Sequence, residues 1–359
     1  MADGGRADGG RGAVFARNIV AGPLHSAIAS DAKAAESRRR GRAVLWATLL
    51  TSLAGAATAA LAVAAARQLA PAGSAASPTG FASSDTRRSV EKPARRLDRA
   101  AALLAAAALS DSAIEHYRGS FHNKFMYVPL AVSTLTLAAS LRDAAGARFE
   151  RRWSRAIVSR AVVSRAVVNA AAVATGIAGT GFHLYNVGKR PGGFGWLNLF
   201  YAAPLGAPAA LSLAGLIGAA AHRLRSDASV PSGRLIAGLA AAGLFGTTGE
   251  AALLHFRGAY HNPAMFIPVT LPPVAASLLA RAAWSGRSAD AARRWLRLLT
   301  AVGFLGSAFH AYGIQRNMGG WRNWSQNLLN GPPLPAPPAF TALAIAGLAA
   351  LDLIEGPSS

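Results

Sequence analysis

The sequence predicts an all-α polytopic membrane protein, built as two tandem parallel four-helix transmembrane repeats behind one N-terminal transmembrane helix. Three observations predict it. Uncharged apolar runs occupy 43–66, 199–221 and 331–351, and a helix needs roughly 20 apolar residues to cross the hydrocarbon core. Further runs near 99–117, 125–141, 160–187, 234–255, 264–284 and 295–314 bring the total to about nine spans, most of them separated by Arg-rich loops. The third observation is an internal duplication.

In chain order, residues 1–42 are rich in Gly, Ala and Arg and are expected to be a poorly ordered basic segment. The run 43–66 follows RRRGR. It is longer than the apolar stretch of a usual signal peptide, so a retained span is expected. Residues 67–98 read as a basic Ser/Pro-rich linker. The first four-helix unit covers 99–222 and the second 233–353.

The duplication is legible residue by residue. HYRGSFHNKFMYVPL at 116–130 matches HFRGAYHNPAMFIPV at 255–269, with seven of fifteen positions identical. GIAGTGFHLY at 176–185 matches GFLGSAFHAY at 303–312. Gly192-Gly193 matches Gly319-Gly320, and Pro204-Leu205 matches Pro333-Leu334. Each unit holds an even number of spans, so the two insert with the same orientation.

Six of the eight histidines belong to the duplication: His116, His122 and His183, then His255, His261 and His310. His116 and His122 follow the first span of their unit, and His183 ends the third. Both spans run in the same direction, so all six histidines fall at one membrane face. Ionisable groups at membrane depth are costly and are kept for function. Interfacial anchoring is the alternative use.

Two chemistries fit. A b-type haem takes two imidazoles from different helices at similar depth, and the pairs His116/His183 and His255/His310 meet that requirement. Gly176 and Gly179, with Gly303 and Gly306, share a helix face with the second histidine of each pair. They either admit a porphyrin plane or pack helices closely. Arg118 and Arg257 are candidate propionate partners. The alternative is a non-haem iron, copper or zinc site, with His116, His122 and His183 and their counterparts as three nitrogen ligands per unit. Asp111 and Glu250 then serve as supporting or proton-carrying groups. Tyr185 and Tyr312 are candidate hydrogen-bond donors, or part of an aromatic belt.

The functional expectation is a redox subunit that passes electrons between a periplasmic partner and a membrane carrier, with haem b as its cofactor. A membrane metalloenzyme, and a proton- or cation-coupled transporter or non-catalytic assembly subunit, are the alternatives. The lipid bilayer is the expected environment. The 37 Lys and Arg against 16 Asp and Glu sit in loops between apolar runs, which argues for topology and against nucleic-acid binding. The absence of cysteine excludes thiolate metal sites and cysteine nucleophiles. Within 99–353, the loops away from the histidines carry 14 Lys and Arg against 7 on the histidine side. That places the histidines on the periplasmic side of a cell inner membrane, although RRRGR before residue 43 argues for the reverse.

Overall fold

A computed structural model describes residues 84–145, 164–201, 204–226 and 232–356. The expected segment 1–42, the span 43–66 and most of the linker lie outside the described residues. Those described are helical, with no strand among them.

Ten α-helices occur in this order: α1 Ser84–Arg118, α2 Val128–Ala145, α3 Arg165–Gly188, α4 Trp196–Tyr201, α5 Gly206–Arg225, α6 Gly233–Arg257, α7 Ile267–Ser285, α8 Asp290–Arg316, α9 Trp324–Asn330 and α10 Pro338–Glu355. Residues 84–98, expected to be linker, form the first turns of α1. The Glu, Lys, Arg and Leu of that stretch are good helix formers, and Pro93 is accommodated within it.

Among the described residues, five segments are long and apolar enough to cross a membrane: Lys124–Ala145, Arg165–Gly188, Gly233–Arg257, Pro263–Ser285 and Pro338–Glu355. Helices α1, α5 and α8 fall outside that set. Helix α8 carries Asp290, Arg293, Arg294 and Arg297 in its first turns, and α5 is dominated by Ala and Gly. The protein is therefore a helical, multi-pass membrane protein.

Burial sorts the helices into centre and rim. In Pro338–Glu355, 67% of the apolar window is buried within the protein. In Lys124–Ala145 the share is 17%, and in Arg165–Gly188 and Pro263–Ser285 it is 22%. A water-soluble protein does not leave apolar helices so bare; lipid is the medium that matches them.

Helix α1 packs against α2, α5 and α10, and α5 also carries α3. Helix α6 packs against α7, α10 and α5, and α10 also carries α8. The centre is thus α1, α5, α6 and α10, where Leu97, Leu104, Ile217, Leu239, Leu244 and Leu343 are fully buried. Ala100, Ala101, Ala240 and Ala346 lie between them with no exposure. Small side chains let helix backbones approach closely where lipid offers no hydrophobic drive for association.

A network of ion pairs closes the end away from the histidines. Asp98 of α1 has no exposed side-chain surface and is held by Arg165 of α3 at 3.1 Å and by Arg225 of α5. Arg165 also lies 3.7 Å from Asp143 of α2. Asp352 of α10 bonds Arg96 of α1 and, at 2.7 Å, Arg293 of α8. Asp98 and His116 are 18 residues apart on α1, as are Arg165 and His183 on α3. At about 1.5 Å of rise per residue, that separates the ion network from the histidines by about 27 Å, the thickness of a bilayer core.

Candidate functional site

The site lies at the histidine end, and its loops set it up. After α1, Ser120 and Phe121 take positive φ values of 58° and 45°; after α6, Ala259 and Tyr260 take 56° and 45°. This left-handed turn is unusual for residues with a side chain. It folds the chain back so that Phe121 stacks on Tyr127 at 4.5 Å, and Tyr260 on Phe266 at 4.6 Å. Asn123 Oδ1 then accepts from Phe125 N at 3.0 Å and Asn262 Oδ1 from Ala264 N at 2.9 Å, capping the short 3₁₀ turns that lead into α2 and α7.

Each of the six histidines has its Nδ1 on a backbone carbonyl. His116 donates to Met126 O at 2.6 Å and His255 to Met265 O at 2.8 Å. His183 donates to Pro204 O, and His310 to Pro333 O at 2.7 Å. His122 and His261 donate to Gly119 O and Gly258 O at 3.1 and 3.0 Å. A carbonyl can only accept, so Nδ1 carries a proton, and whenever the ring is neutral its lone pair is at Nε2. This is the arrangement that orients a histidine for metal ligation.

The four helical histidines come together in pairs. The rings of His255 on α6 and His310 on α8 are 6.4 Å apart, centroid to centroid, at 74°. His183 on α3 lies within electrostatic reach of His116 on α1. His122 and His261 stand apart in exposed loops. Among the described residues, no group of three or more His, Asp or Glu gathers where it could hold a metal ion. The three-nitrogen arrangement expected from the sequence is not formed there.

The glycines serve the packing of helices. A Cβ on Gly176 would stand 2.4 Å from Pro208 O and 2.2 Å from Ser212 Oγ, and one on Gly303 2.6 Å from Pro337 O and 2.4 Å from Thr341 Oγ1. A Cβ on Gly179 would stand 3.1 Å from the Pro208 Cβ, and one on Gly306 2.8 Å from the Pro337 Cβ. The face that the sequence offered to a porphyrin is taken by α5 in one half and α10 in the other.

The arginines act across the chain. Arg118 donates to Leu329 O of α9 at 3.3 Å and pairs with Glu115 at 2.5 Å. Arg257 donates to Phe200 O of α4 at 3.0 Å and lies over the Tyr201 ring. Each ties its helix to the far half. Glu250 Oε1 accepts from Gly206 N at 3.0 Å, so this carboxylate caps the start of α5. Asp111 lies within electrostatic reach of Glu250. Tyr185 and Tyr312 point outward, under Lys189 and Arg316. That geometry suits an aromatic belt and does not bring their hydroxyls to the histidines.

Several positions carry the site without an obvious sequence signal. The carbonyls of Met126, Pro204, Met265 and Pro333 lock the rings, yet a backbone acceptor has no side-chain signature. Buried Asn198 holds the Gly192-Gly193 loop through Pro191 O and Gly193 O at 3.0 and 2.7 Å. Asn327 holds Gly319-Gly320 through Met318 O and Gly320 O at 3.2 and 2.8 Å. These glycines have φ between 51° and 86°, which explains their type. The two asparagines are alignable in the duplication, and that was the available signal.

No family model, curated protein or solved structure matches the chain.

Proposed function

We propose that the protein is a membrane redox subunit carrying two b-type haems, one between His116 and His183 and one between His255 and His310. The observation that carries the reading is the His255–His310 pair, 6.4 Å apart centroid to centroid and with no third ligand among the described residues. A metal–nitrogen bond of about 2.0–2.1 Å puts two imidazoles on opposite sides of one ion at centroid separations of roughly 6–6.5 Å. The His255–His310 separation of 6.4 Å fits that geometry. A bare zinc, iron or copper ion needs three or four protein ligands; haem iron takes only two from the protein. Because α5 and α10 occupy the glycine faces, His116 with His183 and His255 with His310 would hold the haem without help from those glycines.

In this reading the carbonyls of Met126, Pro204, Met265 and Pro333 fix each ring and keep Nε2 free. Haem, when bound, supplies one-electron chemistry. The chain is two tandem units with the first span 43–66 outside them. The paired hydrogen bonds at aligned residues support this. The charge difference between loops favours a periplasmic histidine face in an inner membrane.

The test is a reduced-minus-oxidised visible spectrum of the purified protein, with elemental analysis of the same sample. Two haems per chain are expected. His183→Ala is expected to remove one and leave the other. A flat spectrum after expression with haem supplementation, or loss of both haems or neither in His183→Ala, overturns the assignment.

A further inference from the structure

The two seams between the halves of the protein differ at one place. Helix α4 lies against the end of α6, and α9 against the end of α1. The Arg257–Phe200 O and Arg118–Leu329 O bonds set Phe200 and Leu329 in equivalent positions. In the α4 seam, Phe200 stacks on Phe256 at 5.7 Å and on Trp196 at 5.5 Å. In the α9 seam, Leu329 and Asn330 stand where Phe200 and Tyr201 stand in the other. There the structure leaves an open-sided surface depression of about 470 Å³, lined in part by Tyr117, Arg118, Phe121, Tyr127, Leu329 and Asn330. One seam is filled by its own aromatic ring; the other is open at the same position.

We propose that this depression binds the head ring of a lipophilic quinone. The space is where Phe200 sits in the companion seam, above an aromatic partner: Tyr117 aligns with Phe256. It falls within the size range of small-molecule sites. Its lining combines aromatic faces, which stack a planar ring, with the side-chain donors of Arg118, Asn330 and Tyr117, which suit ring carbonyls. Arg118 is already neutralised by Glu115 at 2.5 Å, so the site favours a neutral acceptor over a phosphate. It lies at the histidine end of α1, beside the loop that follows His116, and a bilayer spanned from the ion network to the histidines would leave an isoprenoid tail in lipid. The assignment names the membrane carrier of the redox reading and depends on that reading only for its role. Binding itself is independent of haem.

The experiment titrates decylubiquinone into the full-length protein in nanodiscs and follows quenching of intrinsic fluorescence against protein-free nanodiscs. One saturable site per chain is expected. Leu329→Phe, which copies the filled seam, is expected to weaken binding at least tenfold with an unchanged melting temperature. Phe200→Leu is expected to open the second seam and raise the stoichiometry towards two. The two variants act in opposite directions, so a folding defect in one does not rescue the proposal. Quenching no greater than in empty nanodiscs overturns it. So does wild-type affinity in Leu329→Phe, or a tightly co-purified phospholipid that Arg118→Gln releases while quinone fails to compete. Failure of haem binding with saturable quinone binding would overturn the redox reading and leave the quinone-site assignment standing.

Discussion

Removing Asp98 should unbalance the closed end of the helix bundle, and removing its partners with it should restore most of the loss. Asp98 is fully buried and shared by Arg165, whose side chain is 9% exposed, and Arg225, which is 24% exposed. Breaking a buried pair from one side costs about 3–5 kcal/mol, because a charge is left without its partner. Arg165 keeps Asp143 at 3.7 Å and Arg225 keeps Glu91 at 3.8 Å, so Asp98→Ala is expected at the lower end, about 3 kcal/mol. In the second half, the positions aligned with Asp98, Arg165 and Arg225 are Ala237, Ala292 and Ile354. The second half thus has apolar side chains at these three positions and joins α8 to α10 through the neighbouring Arg293 and Asp352 instead. The triple variant Asp98→Ala/Arg165→Met/Arg225→Ile should lose less than about 1 kcal/mol, since apolar replacement of a whole buried network is near neutral. Denaturation in mild detergent, followed by loss of helicity, measures all three states. A cost below about 1 kcal/mol for Asp98→Ala, or a triple variant as unstable as the single one, would refute the reasoning.

Two further outcomes are expected. Gly176→Ala should destabilise by more than about 2 kcal/mol, because its Cβ meets the Pro208 carbonyl at 2.4 Å. Gly181→Ala on the same helix has nothing within 4 Å and should be neutral or slightly stabilising in a thermal melt. Because the chain has no cysteine, single-cysteine labelling gives its topology cleanly. Lys124→Cys and Asn317→Cys should react with a membrane-impermeant maleimide from one side of intact cells, and Ser226→Cys and Ser285→Cys only after lysis.

Much of this fold was legible in the sequence, and the reasons differ by residue. His116, His183, His255 and His310 were visible because they recur at fixed places in a duplicated pattern, and the structure brings His255 against His310 as the helix register implies. The start of α1 was not legible. Hydropathy marks an apolar run, whereas Glu91, Lys92 and Arg95 extend a helix without being apolar. The glycine faces were open to two readings, because a sequence shows that Gly176 lacks a side chain but not which neighbour uses the space. The Asp98 cluster was hidden for another reason. Asp98 lies 67 and 127 residues from its two partners along the chain, and the three fall in what reads as a linker, a span and a loop. The open seam was hidden in the same way: Leu329 looks ordinary until it is seen in the place of Phe200.

The ion network and the imidazoles are fixed to the same helices, about 27 Å apart on α1 and on α3. An α-helix does not stretch, so the molecule carries a built-in gauge of bilayer thickness. In a thinner membrane these helices must tilt together or thin the lipid around them. Because the Asp98–Arg165 pair locks α1 to α3, the two helices tilt as one body, and His116 and His183 move with them. Lipid thickness therefore reaches the histidine pair as a change of depth and tilt, not of spacing.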